Sequence, residues 1–193
     1  MVSCVEELRE AAAILADVKR GLDADGIAYD REVLVGAMIE VPSAAINADA
    51  FAKYVNFFSI GTNDLVQYTM AADRGNETVA HLYQPLNPAV LRLMRMTIEA
   101  AKRNGIWVGV CGESAADPVV GVLWAAMGVD MLSMSATYIP LMSKLFSRLT
   151  RADLDDYLKT VEAMGDGASS AEILAKCDAW MRAHIPDLDN IVI

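Results

Sequence analysis

The sequence predicts an α/β protein with parallel strands and a helical tail, on three observations. Short β-branched runs alternate with helical stretches over residues 1–150. The connections between them are short, which suits crossover units. Beyond residue 150 the strands stop, and two further helix starts follow with no apolar run between them.

In chain order, a first helix is expected over residues 5–22, opened by Ser3 and Glu6 as a capping pair. Residues 33–39 form the first β-branched run, hence a strand. Pro42 then starts a helix over 43–54, since proline suits a first helical turn. A second strand covers 57–60 and stops at Gly61, and a long excursion follows over 63–87. Asn87 caps a helix that Pro88 opens and Gly105 closes; Val90, Leu91, Met94, Ile98 and Ala101 share one face. The third strand is 106–110, the next helix 119–127 with Gly128 at its end, the fourth strand 129–134, and another helix 140–149. In the tail, Thr150 with Asp153 and Ser169 with Glu172 are capping boxes for two helices. The division expected is 1–150 for the strand–helix body and 151–193 for a helical appendage.

A complete (β/α)8 barrel takes roughly 250 residues, so about 150 residues of strand–helix repeats fit about half of one. An open doubly wound sheet fits the local pattern as well.

Composition narrows the function classes. The 193 residues are 54% hydrophobic and 22% charged, which is a folded chain rather than a disordered one. A net charge of −10 speaks against nucleic acid and anionic membrane as partners, because both attract basic faces. Cys4, Cys111 and Cys177 are far apart and form no paired motif, so neither a disulfide framework nor a zinc knuckle is suggested. No leader or membrane-spanning run is visible, and a cytoplasmic location is the expectation.

Chemistry gathers at the strand ends. Glu40 follows the first strand; Thr62, Asn63 and Asp64 the second; Cys111, Gly112 and Glu113 the third; Ser133, Ser135 and Thr137 the fourth. The carboxyl ends of parallel strands share one mouth, where α/β proteins place their sites. Asn63 or Asp64 alone would pass as a turn or cap residue; the whole set is harder to explain that way. Glu40 and Asp64 on adjacent strands suit Mg2+, a hard cation that bridges carboxylates to phosphate, although a solvated rim pair would look the same. Arg74 could grip a phosphate or pair with Asp73. Cys111 stands in a turn where Gly112 allows a substrate close to the backbone, and a thiol there can act as acid or nucleophile. Cys4 and Cys177 are expected to pack, and His81 and His184 to be rim or tail residues.

The string Phe57-Phe58-Ser59-Ile60-Gly61-Thr62-Asn63-Asp64-Leu65, continuing through Tyr68-Thr69 to Asp73-Arg74, resembles the signature of enzyme I of the bacterial sugar phosphotransferase system. These enzymes are the phosphoenolpyruvate–protein phosphotransferases. Met38-Ile39-Glu40-Val41-Pro42, Leu82-Tyr83-Gln84-Pro85, Val110-Cys111-Gly112-Glu113 and Leu132-Ser133-Met134-Ser135-Ala136 follow in the family's order. Pyruvate phosphate dikinase and phosphoenolpyruvate synthase share the domain, but the Tyr83-Gln84-Pro85 and Ser133-Met134-Ser135 wording is closer to enzyme I.

The resemblance implies a TIM-type (β/α)8 barrel, of which this chain holds the second half, binding phosphoenolpyruvate (PEP) and Mg2+ at its mouth. It implies Glu40 and Asp64 as metal ligands, Asn63 and Asp64 in substrate binding, Arg74 on the phosphate, and Cys111 as the acid that protonates the enolpyruvate carbon. The phosphate acceptor is then a histidine on a separate domain, which passes it to a small histidine-containing phosphocarrier protein. The first barrel strands, with further arginines, and the histidine domain are expected to lie outside these residues. A homodimer is expected, either through the helices or by one half-barrel covering another. A non-catalytic half-barrel that only binds or pairs is the different-class alternative.

Overall fold

The computed structural model describes residues 1–188. Four parallel strands form one sheet in the order β1-β2-β3-β4: β1 (Gly36–Ile39), β2 (Phe57–Gly61), β3 (Trp107–Cys111) and β4 (Met131–Leu132). Ile39 aligns with Ile60, Ile60 with Val110, and Val110 with Leu132. The order runs without a reversal, so each right-handed crossover moves the chain the same way and its helix returns to the same side.

Burial follows that topology. Ala37, Ile39, Phe58, Ile60, Val108 and Val110 point to the helix side and are almost fully buried. The alternate residues Met38, Phe57, Ser59, Trp107 and Cys111 stay partly exposed on the other face. At the amino end of that face the Phe57 and Trp107 rings stack at 4.2 Å. Gly36 lies beneath this stack; a Cβ there would come 2.2 Å from the Phe57 ring, so the aromatic pair needs a glycine under it.

The helices differ from the sequence reading in informative ways. Helix α1 (Val5–Ala24) buries only Leu8, and Ser3 pairs with Glu7 rather than with Glu6: its N–H and hydroxyl both donate to the Glu7 carboxylate, at 2.6 and 2.9 Å. The first strand begins at Gly36, not at residue 33, because Val33 and Leu34 remain exposed with no partner strand. The helix expected over 43–54 breaks into α2 (Pro42–Ile46), α3 (Ala48–Phe51) and a 3-10 turn, Ala52–Tyr54. Asn47 is the joint, at φ −102 and ψ 21, consistent with the poor fit of asparagine to helix interiors. The break lets Ala44, Ala45, Ala48 and Phe51 all reach the core.

The excursion over 63–87 holds a helix of its own, α4 (Thr62–Met70), which starts directly at the end of β2 and stops where Ala71 takes a left-handed conformation. Helix α5 (Pro88–Arg103) is capped as expected, Asn87 accepting from the Ala89 N–H at 2.9 Å. Helix α6 (Pro118–Met127) is capped by Asp117 and closed by Gly128. It is apolar all round because it is a middle layer: α8 (Arg151–Glu162) and α9 (Ser170–His184) pack on its outer side. Buried Tyr157 donates its hydroxyl to the Val119 carbonyl at 3.1 Å, which ties the tail to that helix. Strand β4 is much shorter than the 129–134 expected, and α7 (Ile139–Phe146) ends earlier than the 140–149 expected. Both tail capping boxes are complete on each side. Cys177 is fully buried, as a packing cysteine should be. Among the described residues no helix is long and apolar enough to cross a membrane.

Candidate functional site

The carboxyl ends of β1, β2 and β3 bring three of the sequence-selected segments together. Glu40, just past β1, folds its carboxylate over β2: a Cβ on Gly61 would lie 2.7 Å from Glu40 Oε2. The Glu40 side chain is 13% exposed, and its Oε1 is 3.2 Å from the Met1 ammonium group. Asp64 lies in the first turn of α4, beyond the end of the neighbouring strand, and is half-buried.

The loops after β2 and β3 are locked to each other by a chain of hydroxyls. Trp124 Nε1 donates to Ser114 Oγ at 3.1 Å, Ser114 Oγ to Thr62 Oγ1 at 2.8 Å, and Thr62 Oγ1 to the Cys111 carbonyl at 2.9 Å. Thr62 and Ser114 are buried and Trp124 is fully so, which makes each of these bonds costly to lose. Asn63 Oδ1 accepts from the Glu113 N–H at 3.2 Å, a second tie between the same loops. Between them Gly112 adopts φ +105, a conformation that disfavours side chains.

Cys111 is the last residue of β3 and projects to the partly exposed face. Its Sγ receives the Ser59 hydroxyl at 3.5 Å and lies 3.6 Å from the Ile60 carbonyl and 3.7 Å from Met38 Sδ. The thiol opens on a cleft of about 590 Å3 bounded by Asn63, Gly112, Glu113, Ser133 and Tyr138. A smaller hollow of about 190 Å3 adjoins it, with Thr62, Asn63, Tyr83 and Glu113 in its walls.

Arg74 comes from the exposed stretch after α4. Its backbone N–H reaches Gln67 Oε1 at 3.4 Å. The Tyr83 hydroxyl donates to the Asn63 carbonyl at 3.1 Å. Burial pushes the Tyr83 phenol above its ordinary pKa; the Arg74 charge pulls the other way, and the Glu113 and Asp64 carboxylates add to the rise. Sequence reasoning did not select Tyr83, Ser114 or Trp124, because their part depends on partners distant in the chain. His81 is exposed in a 3-10 turn, and His184 stacks on Trp180 in the tail.

Residues 1–151 match the family of PEP-utilising enzymes over its PEP-binding domain. The chain belongs to that family. Among curated proteins, it is 47% identical over 174 residues to the phosphoenolpyruvate-protein phosphotransferase of Priestia megaterium, covering 90% of this chain and 30% of that protein. Against the enzyme of the same name from Bacillus subtilis (strain 168) it is 46% identical over 175 residues, covering 91% of this chain and 30% of that protein. Against that from Geobacillus stearothermophilus the identity is 50% over 165 residues, covering 86% of this chain and 28% of that protein. The chain thus spans less than a third of the length of these relatives.

Among the described residues no cluster of three or more His, Cys, Asp or Glu is placed to hold a metal ion. The donor chemistry still suits Mg2+. Two hard carboxylates, Glu40 and Asp64, follow neighbouring strands, and this cation commonly binds through one or two carboxylates, with waters and substrate phosphate completing its shell.

Proposed function

We propose that this chain is the PEP-binding part of a phosphoenolpyruvate–protein phosphotransferase, forming the second half of a (β/α)8 barrel. The observation that carries the reading is the convergence of Asn63, Cys111 and Glu113 from two strand ends on one cleft. The barrel reading draws on the unreversed strand order and on burial that is complete on one sheet face alone. An open doubly wound sheet has a reversal and helices on both faces.

In this reading Asn63 and the adjoining backbone hold PEP, and Arg74 takes its phosphate in charge-assisted hydrogen bonds. Glu40 and Asp64 would hold Mg2+, which when bound offsets charge on the phosphoryl group. Phosphoryl transfer breaks the P–O bond to the enol oxygen and forms a P–N bond to a histidine supplied by another domain. A small histidine-containing phosphocarrier protein receives the group next. The enolate left behind takes a proton at its terminal carbon from the Cys111 thiol, giving pyruvate and a thiolate that water reprotonates. The working assembly is a homodimer in the cytoplasm.

The test is a segment exchange. This chain, replacing the matching segment of the Bacillus subtilis relative, is expected to preserve PEP-dependent pyruvate release and phosphorylation of the carrier protein. A folded chimaera that binds PEP no better than the same protein with Arg74→Ala would overturn the reading.

A further inference from the structure

We propose that Cys111 and Met38 form a binding site for a soft monovalent cation of the Cu(I) class, held between their two sulfurs on the open face of the sheet. The inference stands on sulfur geometry and does not depend on the PEP reading.

The two residues come from strands that do not pair with each other. Met38 lies on β1 and Cys111 ends β3, with β2 between them. Both project to the partly exposed face, and there Cys111 Sγ is 3.7 Å from Met38 Sδ. The contact passes beside Gly61, the β2 residue in register with Cys111. A Cβ on Gly61 would lie 3.2 Å from Met38 Sδ, so the missing side chain leaves the room that the thioether takes. Gly109 does the same on β3, where the Met131 methyl group comes within 3.1 Å of the position a Cβ would have. A second thioether side chain thus lies on the same face, from the opposite edge of the sheet.

Thiolate and thioether are soft donors, and such a pair selects Cu(I) over the hard cations that carboxylates prefer. The spacing fits as well. Two metal–sulfur bonds of about 2.3 Å at a near-tetrahedral angle span roughly 3.8 Å. The observed separation is 3.7 Å, so one ion bridges the pair without a shift of either strand. Cys111 also borders the cleft of about 590 Å3, which gives the ion a route from solvent. The thiol donates at present towards Met38 Sδ or towards the Ile60 carbonyl at 3.6 Å. That proton leaves to solvent as the ion binds, the charge is balanced by the thiolate, and the metal keeps its oxidation state. The Ser59 hydroxyl, 3.5 Å from Sγ, stays in place as a donor to the thiolate.

The experiment uses the whole chain with Cys4→Ser, because Cys4 is the other partly exposed thiol and Cys177 is fully buried. Cu(I) alone is titrated without oxygen against a coloured chelator, while the methionine methyl groups are followed by NMR. One equivalent is expected to bind and to shift the Met38 methyl signal. Cys111→Ser is expected to abolish this binding, and Met38→Leu, which keeps the side-chain volume, to weaken it roughly ten-fold or more. A Met38 methyl signal that does not move, or an affinity unchanged in Met38→Leu, overturns the inference, since the thiol then binds by itself. Binding that survives Cys111→Ser overturns it too. The methyl readout uses the intact sulfur pair, so it decides the matter even where Met38→Leu fails to fold. None of these outcomes alters the proton role proposed for Cys111.

Discussion

Gly112 faces the Thr62 hydroxyl so closely that a Cβ placed on it would lie 2.5 Å from Oγ1 and 3.0 Å from Asn63 Oδ1. The contact joins the loop after β3 to the start of α4, where the Thr62 hydroxyl also donates to the Cys111 carbonyl at 2.9 Å. It also makes Gly112 replaceable only at the expense of the loop.

Gly112→Ala is accordingly expected to destabilise the fold by about 1–3 kcal/mol from the backbone conformation, with the steric clash added. Gly105 offers the control. It too has positive φ, at +67, but nothing within 4 Å of its Cβ direction, so Gly105→Ala carries backbone strain alone. Urea denaturation of the two variants should rank Gly112→Ala clearly below Gly105→Ala. Equal losses would mean that the Thr62 side chain yields freely.

Thr62→Val tests the hydroxyl chain. The substitution keeps the shape and leaves the Cys111 carbonyl and the Ser114 hydroxyl each short of a partner, which costs about 1–3 kcal/mol. Because Trp124 is linked through Ser114, Thr62→Val and Trp124→Phe should be non-additive in a double-mutant cycle. Strict additivity would show three separate contacts rather than one chain.

Much of this was legible in the sequence. The four strands, the Asn87 cap, both tail capping boxes and the clustering of polar residues at strand ends follow from local patterns that do not depend on tertiary context. What was not legible depends on context. Helix α4 lacks a side-chain cap and begins inside a strand-end motif, so neither signal of a helix start was present. Helix α2–α3 breaks at Asn47 because packing of four small and aromatic residues wins over helix continuity. Tyr83 stands in the Tyr83-Gln84-Pro85 wording and Ser114 in no motif, but neither shows in the sequence the partner, 20 and 52 positions away respectively, that ties it to the site.

Cys111→Ser addresses the proton step. Placed in a full-length phosphotransferase carrying this segment, it is expected to leave PEP affinity within about two-fold and to slow pyruvate formation by about a hundred-fold or more, on the order of a lost general acid. The Ser59 hydroxyl at 3.5 Å from the sulfur can still meet the replacement oxygen, so the site should not collapse. Unchanged turnover would remove the acid role; lost binding with normal turnover would assign Cys111 to contact alone.

Self-association follows from the sheet. β1 and β4 each pair on one side, and the face carrying Met38, Phe57 and Trp107 is only partly covered. Several hundred Å2 of such surface in water, at roughly 25 cal/mol per Å2, costs on the order of 10 kcal/mol. Light scattering of the isolated chain at micromolar concentration is expected to give at least a dimer. A monodisperse monomer would contradict the half-barrel reading.

The most direct test of the central claim is where PEP touches this chain. With Mg2+ present, NMR titration of the isolated 193 residues should shift Asn63, Asp64, Arg74 and the 111–113 turn, weakly because Arg74 is the one arginine proposed for the phosphate, and without turnover to pyruvate. Glu40→Gln and Asp64→Asn should abolish the Mg2+ dependence of those shifts. No shifts at millimolar PEP, or shifts centred instead on the hollow between α5 and α8 near Arg92 and Arg95, would contradict the account.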